Sequence, residues 1–151
     1  QIRVAINPGK GELEKPKQLR KFLSAVDVLI ANREELQMLF GGERPVDMIM
    51  NAMSYCQHVV LTDGPGGSYA TDGQIIYYAG QYQRVKVVDR TGAGDAFASG
   101  FIAGLAQGWS MEDCLTLASA NSTSVVQHVG AKPGILRGAR LKRMKVKRVS
   151  I

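Results

Sequence analysis

The chain has 151 residues, of which 45% are hydrophobic and 21% are charged, and these proportions are typical of a soluble globular protein. The length suits one domain or a part of one. The net charge of +6 arises in residues 135–151, which contain seven basic residues and no acidic residue. Because the remainder is close to neutral, the basic character is no evidence that the body of the protein binds nucleic acid.

The N-terminal part of the chain alternates predicted strands with predicted helices. Continuous apolar runs predict strands, and apolar residues three or four apart predict helices. Pro8-Gly9 end the first strand, and Gly41-Gly42 end the second helix. The predicted order is strand, helix, strand, helix, helix and strand, over residues 2–7, 16–24, 26–32, 33–40, 46–56 and 58–63.

A predicted β-hairpin follows. Residues 68–71 and 74–80 have the composition of strands, and Asp72-Gly73 between them is a strong signal for a tight turn. Residues 84–89 predict a further strand, which leads into a helix that ends at Gly108.

The last predicted helix begins at a capping box formed by Ser110 and Asp113. Its apolar stripe consists of Met111, Cys114, Ala118, Ser122, Val125 and Val129. The segment "MKVKRVSI" (144–151) can add an edge strand. For the basic tail, residues 135–151, two alternatives remain: a patch that binds nucleic acid or a membrane, and a solvated face or frayed terminus.

This order of elements predicts an α/β fold, with a largely parallel sheet flanked by helices and an antiparallel hairpin addition. Cys56 and Cys114 form neither a disulfide framework nor a zinc-knuckle spacing. Cys56 and His58 stand two residues apart, but no second pair completes a metal site, so we expect a buried pair at a strand edge. No signal peptide or membrane-spanning run is recognisable, and we expect a cytoplasmic protein without a membrane or nucleic-acid partner.

The stretch "VVDRTGAGDAFASGF" (87–101) places glycines between a predicted strand and a helix. The first N–H groups of a helix have no partner within it, and glycine lets the backbone approach a ligand closely. The helix dipole adds positive potential, so such a turn binds anions, usually phosphate. Asp95, in the first turn of the helix, can then accept a proton beside the bound phosphoryl group.

Three interpretations of this turn compete. In the first, the turn is only a tight connection in which Asp95 complements the helix dipole. The second is a dinucleotide-binding fingerprint, but Phe97 stands where G-x-G-x-x-G/A requires a small residue. The third is an anion hole for phosphoryl transfer with an adjacent base. A Walker A loop is excluded because no Gly-Lys-Ser/Thr follows.

The segment "DRTGAGDAFASGF" (89–101) resembles the second signature of the ribokinase-like (PfkB) carbohydrate kinases, a pattern close to D-T-x-G-A-G-D-x-F. Three further segments resemble motifs of this family, in the family's order. "ANREEL" (31–36) is similar to its N-x-x-E motif, and "LTDGPGGSY" (61–69) to its T-x-G stretch beside the nucleotide. "ASANSTSVVQHVGAKPG" (118–134) is similar to the helix and Gly-Ala turn that flank adenine and a monovalent cation.

The resemblance covers nearly the whole chain up to about Pro133. It implies the C-terminal half of a ribokinase-like three-layer sandwich. The implied activity is ATP-dependent phosphoryl transfer to a hydroxyl of a sugar or sugar-like substrate, with Asp95 as the base and the backbone of Gly92, Ala93 and Gly94 as the anion hole. The alternatives are a nucleoside kinase of the same family and a non-catalytic nucleotide-binding fragment that needs a partner half.

The resemblance also implies roles for residues outside this turn. Asn32 and Glu35 would organise Mg²⁺ and its waters, and a monovalent cation such as K⁺ would lie near Asp89, Thr91 and the turn at Gly130-Ala131. The nucleotide contacts would be Thr62, Gly64, Gly67, Ser119 and Asn121, and of these Thr62 and Gly64 would approach the phosphates or ribose.

Each of these sites has a structural alternative. Asn32 and Glu35 can be a helix cap and its first turn, and residues 62–64 can be a strand-ending turn. Ser119 and Asn121 can belong to a closely packed helix of small residues.

Two departures from the family's pattern stand out. Arg90 occupies a position where the family usually has a small residue or threonine, and its side chain either points to solvent or reaches a phosphate. Family members are about twice as long, and the half absent here carries most of the sugar contacts and the lid. We therefore expect the chain alone to be inactive. We also expect an exposed sheet edge that promotes association, with a homo-oligomer as one outcome.

Overall fold

The computed structural model describes residues 3–138, 141 and 143–150. The chain divides into two compact units, the first made of residues 1–78 with 148–151 and the second of residues 79–147. Within the described ranges, no helix combines the length and the apolar character that crossing a bilayer requires.

Among the residues that the structure describes, six strands form the sheet: β1 (Ala5–Ile6), β2 (Val28–Asn32), β3 (His58–Thr62), β4 (Ser68–Thr71), β5 (Ile76–Ala79) and β6 (Val146–Val149). They lie side by side in chain order. β1, β2 and β3 are parallel to one another, whereas β4 pairs with β3 in the antiparallel direction. The sheet is therefore mixed. The predicted hairpin is formed by β4 and β5, and the predicted edge strand is β6.

Within its described residues, the first unit contains four α-helices, α1 (Lys10–Leu13), α2 (Pro16–Phe22), α3 (Arg33–Phe40) and α4 (Pro45–Met53), and two short 3-10 helices, Leu23–Ala25 and Gly64–Gly66. α2 and α4 each begin with a proline, which lacks the N–H that a first helical residue would leave unpaired. α3 starts directly after β2, with Asn32 as its N-cap, and ends at Gly41, whose φ of 69° breaks the helix.

The core of the first unit forms where the apolar sides of α3 and α4 meet β2 and β3. Leu29, Leu36, Ile49 and Leu61 are completely buried there. Burial of each such side chain contributes about 1.5–3 kcal/mol. Cys56 lies in the same cluster, and burial raises the pKa of its thiol, which donates a hydrogen bond to Val26 O at 3.3 Å.

In the described part of the second unit there are two helices, α5 (Ala93–Ala106) and α6 (Met111–Val125). They approach closely because α5 has glycine where it crosses α6. A Cβ at Gly100 would lie 3.0 Å from Ala118 Cα, and one at Gly104 would lie 3.0 Å from Cys114 Sγ. Burial in this interface raises the pKa of the Cys114 thiol to about 11. Ser110 caps α6 as predicted, with Asp113 N–H donating to Ser110 Oγ at 3.1 Å. The predicted capping box is only half formed, because the Asp113 carboxylate accepts a hydrogen bond from Ser110 Oγ at 2.9 Å and not from the Ser110 backbone.

The predicted strand over residues 84–89 is wrong. The N–H groups of Val88 and Asp89 donate to Val126 O, at 2.7 and 3.2 Å, instead of joining the sheet. Val87 and Val88 are 50% and 49% exposed. The apolar alternation of this segment is real, but among the described residues no neighbouring strand pairs with it.

The C-terminal end of α6 also differs from the prediction. The helix ends at Val125, and Val129, which we placed on its apolar stripe, is 75% exposed. The N–H groups of Gln127 and His128 instead donate to carbonyl oxygens three residues earlier, Ser124 O and Val125 O, and these hydrogen bonds close a turn. Within the described range, the first strand covers only Ala5–Ile6 and is shorter than the predicted residues 2–7. The helix α1 was not predicted, because the apolar pattern gave no signal for it.

Candidate active site

In the first unit, two predicted site residues lie next to each other at the carboxyl end of the parallel strands. Asn32, the last residue of β2, is the direct partner of Thr62, the last residue of β3. Neighbouring strands are about 4.8 Å apart. In α/β sheets, ligands bind outside the carboxyl ends of the parallel strands.

Asn32 and Glu35 form a reciprocal capping box at the start of α3. Glu35 N–H donates to Asn32 Oδ1 at 2.9 Å, and Asn32 N–H donates to Glu35 Oε2 at 2.8 Å. The structural alternative for these two residues is therefore realised, and their part in binding Mg²⁺ stays a prediction. The capping box holds the Asn32 amide oxygen and the Glu35 carboxylate side by side, and both are oxygen ligands that can bind Mg²⁺.

The donor set fits a magnesium ion that keeps most of its waters. No group of three or more His, Cys, Asp or Glu residues that could hold a metal occurs among the described residues. Mg²⁺ in phosphoryl-transfer enzymes is usually held by one or two carboxylates together with substrate phosphates, so a complete protein cage is unnecessary.

The turn after β3 contains the other predicted nucleotide contacts of this unit, Thr62, Gly64 and Gly67. It closes tightly, with Asp63 N–H donating to Gly67 O at 2.9 Å and Gly66 N–H donating to Asp63 O at 2.7 Å. Gly64 is exposed, whereas Gly67 is buried. Directly opposite Thr62 on β4, the buried Ser68 Oγ has no hydrogen-bond partner in the described structure.

An ion pair that the sequence did not reveal joins this turn to α3. Arg33 Nη1 lies 3.1 Å from Asp63 Oδ2, and Arg33 Nη2 donates to Glu43 O at 3.1 Å. The two charged residues are 30 positions apart, so no spacing in the sequence pairs them. Only the parallel register of β2 and β3 brings them together, because Arg33 and Asp63 directly follow the paired residues Asn32 and Thr62.

In the second unit, the glycine-rich turn has the geometry that its sequence predicts. Gly92 is the N-cap of α5 in the left-handed conformation, with φ of 76°. A Cβ at this position would lie 2.6 Å from Ala131 Cβ. Ala93 N–H donates to Arg90 O at 3.2 Å, so it is already partly occupied. Gly94 and Asp95 follow in the first turn of α5, and both are exposed.

Asp89 ties two segments of the second unit together. Its Oδ1 accepts hydrogen bonds from Thr91 N–H at 2.9 Å and Thr91 Oγ1 at 2.7 Å, and its Oδ2 accepts one from Gly130 N–H at 2.8 Å. These donors hold the pKa of the Asp89 carboxyl below its ordinary value, with the Thr91 backbone contributing most. The turns predicted to surround a monovalent cation are thus adjacent, while the cation itself stays a prediction.

Ser119 and Asn121, the predicted adenine contacts, are buried within α6. Asn121 Nδ2 donates to Ala96 O at 2.8 Å, and Asn121 Oδ1 accepts from Leu136 N–H at 2.9 Å. Both ends of the Asn121 amide are therefore used inside the protein. This arrangement favours the packing role for Asn121, and the adenine role stays a prediction.

Residues 5–136 match the pattern of the pfkB family carbohydrate kinases. The chain belongs to this family. A curated relative of similar sequence, the cytidine kinase of Thermococcus kodakarensis, is 31% identical over 133 residues, which are 85% of this chain and 48% of that protein. The chain thus spans about half the length of this relative.

Solved structures agree with the pfkB assignment. A probable sugar kinase from Rhizobium etli has a TM-score of 0.80 and 28% identity, and the match covers 87% of this chain and 41% of that chain. The ribokinase of Arabidopsis thaliana, complexed with ribose and ATP, has a TM-score of 0.70 and 25% identity, and the match covers 87% of this chain and 52% of that chain. These likenesses confirm the predicted ribokinase-like α/β fold.

Proposed function

We propose that the protein containing this chain transfers a phosphoryl group from ATP to a hydroxyl of a sugar or sugar-like molecule. The observation that carries the proposal is the turn before α5, where a left-handed Gly92 leads into a first helical turn containing Asp95. Membership of the pfkB family supports this activity. The ribose and ATP bound to the Arabidopsis ribokinase support the two substrate classes.

The N-terminus of α5 serves as the anion hole in this proposal. N–H groups of the first helical turn have no partner inside the helix, and the helix dipole favours negative charge at this end. Gly94 leaves open space, since nothing lies within 4 Å of a Cβ placed on it. Donors fixed in this way stabilise charge that develops on the transferred phosphoryl oxygens.

Asp95 acts as the base. As the substrate hydroxyl oxygen forms its bond to the γ-phosphorus of ATP, the bond from that phosphorus to the ADP oxygen breaks. The hydroxyl proton passes to the Asp95 carboxylate. Asp95 directly follows Gly94 in the first turn of α5 and is exposed, which supports this role.

The remaining predicted residues of each unit have separate roles in this proposal. Mg²⁺, when bound, would neutralise phosphate charge, and Asn32 and Glu35 would hold its waters. Because the Asp89 carboxylate already accepts three hydrogen bonds, its part in a monovalent-cation site is to fix the backbone at Thr91 and Gly130. A cytoplasmic location and a homo-oligomer stay predictions.

A nucleoside is the second candidate acceptor. The cytidine kinase of Thermococcus kodakarensis is among the similar relatives, so the class of acceptor within the family is not fixed by family membership. Assaying the whole protein with ATP against parallel panels of sugars and nucleosides decides between them. We expect a sugar to be the better acceptor, and preferential turnover of a nucleoside would replace the sugar proposal.

Replacement of Asp95 tests the mechanism. Asp95→Asn in the whole protein should lower the phosphorylation rate by about 10²–10⁴-fold, as expected for a lost general base. Nucleotide affinity should stay similar or improve, because a negative charge near the phosphates is removed.

Asp113→Asn is the matched control, since Asp113 lies in the first turn of α6 in the same unit. It should cost a few tenths to about 1 kcal/mol of stability and leave the rate unchanged. If Asp95→Asn behaves like this control, Asp95 only complements the helix dipole and is not the base.

A further inference from the structure

The turn proposed to contact the nucleotide contains a carboxylate. Asp63 lies between Thr62 and Gly64, the two residues assigned to the phosphates or ribose, and its side chain is 21% exposed. Asp63 Oδ2 also lies so close to Gly66 that a Cβ added to this glycine would collide with the oxygen. A negative charge fixed at this place repels the polyanionic phosphates of ATP.

Arg33 compensates this charge. Its Nη1 lies 3.1 Å from Asp63 Oδ2, and its Nη2 is anchored on Glu43 O. The arginine is also the first residue of α3, directly after Asn32 of the proposed magnesium site. One guanidinium thus connects the helix with the Asn32–Glu35 capping box to the turn after β3.

We propose that the Arg33–Asp63 pair is a charge-compensating positioning pair that sets the affinity for ATP. The proposal rests on the proposed kinase function. Arg33 neutralises the charge of Asp63 beside the phosphates, and Asp63 in turn holds the Arg33 guanidinium away from them. The turn that faces ATP therefore carries no net charge from this pair. Removing either partner leaves the charge of the other uncompensated. The two removals therefore change the affinity for ATP in opposite directions.

The experiment compares Arg33→Gln, Asp63→Asn and the double variant in the whole protein, with the KM for ATP and kcat as readouts. Arg33→Gln leaves an unpaired carboxylate, and we expect KM for ATP to rise about threefold to tenfold. Asp63→Asn leaves an unpaired cation, and KM should fall by a similar factor. The double variant should return close to the parent value, and Arg33→Lys should retain most of the ATP affinity because it keeps the charge.

The ion pair of Arg44 and Asp47 at the start of α4 provides a matched control, with Nη2 and Oδ1 2.6 Å apart. Arg44→Gln removes the same type of charge from the same unit outside the proposed site, and it should leave KM for ATP unchanged. A purely structural ion pair predicts that Arg33→Gln and Asp63→Asn shift KM in the same direction, together with a loss of stability. That result would overturn the proposal.

Calorimetric titration of the whole protein with ATP separates this inference from the function on which it rests. If the protein binds ATP and phosphorylates an acceptor, but Arg33→Gln and Asp63→Asn leave KM unchanged, only the role of the pair is wrong. A whole protein that binds no ATP overturns both proposals.

Discussion

The turn before α5 allows a paired test in which Gly92 and Gly94, which lie on either side of Ala93, are each replaced by alanine. Gly92 has φ of 76°, and its missing Cβ would lie 2.6 Å from Ala131 Cβ and 2.9 Å from Ala131 O. The left-handed conformation costs an alanine about 1–2 kcal/mol, and overpacking against fixed backbone adds about 1–3 kcal/mol. We therefore expect Gly92→Ala to lower the free energy of unfolding by about 2–5 kcal/mol.

Gly94→Ala should behave in the opposite way. Gly94 is helical and its Cβ would meet open space, so alanine should raise the free energy of unfolding by about 0.5–1 kcal/mol. The new methyl group enters the proposed anion hole, and a misplacement of about 1 Å there should lower the phosphorylation rate by about 10²-fold.

Urea unfolding and initial rates, measured on both variants of the whole protein, give the two quantities. Gly94→Ala should raise stability and lower activity, whereas Gly92→Ala should lower both. A Gly92→Ala protein as stable as the parent would refute the argument from the left-handed turn. A Gly94→Ala protein of full activity would show that the phosphoryl group does not bind at the start of α5.

Two further predictions concern residues with both a structural and a proposed functional role. Glu35→Gln should raise the Mg²⁺ concentration needed for half-maximal rate and cost at most about 1 kcal/mol of stability; an unchanged Mg²⁺ titration would leave Asn32 and Glu35 as a helix cap only. Asn121→Ala should lower the free energy of unfolding by about 2–4 kcal/mol, because Ala96 O and the Leu136 N–H lose their partners. A stable Asn121→Ala protein with weakened ATP binding would instead support contact with adenine.

Local signals in the sequence were sufficient for some elements. The bounds of α3 were predicted correctly because its start is encoded by Asn32 and Glu35, and its end by a glycine at Gly41. The capped start of α6 was likewise encoded by Ser110 and Asp113. Residues 84–89 show the limit of such signals, because alternation of apolar residues predicts a strand but does not supply a neighbouring strand to pair with it.

The sequence predicted the candidate site as a set of motifs, but it did not predict the contacts that these residues make. The resemblance to the pfkB pattern assigned Asp89 to a cation site, but its hydrogen bond to Gly130 joins residues 41 positions apart and has no sequence signature. The pairing of Arg33 with Asp63 has the same origin in tertiary structure, since it depends on the register of β2 and β3.

Each compact unit contains one buried cysteine, Cys56 in the first and Cys114 in the second. A thiol-specific label reacts with an exposed thiolate, so burial and a raised pKa protect both residues while their unit stays folded. A label enters only when the surrounding structure opens. The labelling rates of these two natural cysteines, separated by mass spectrometry, would therefore reveal which unit opens first when the protein is heated or denatured.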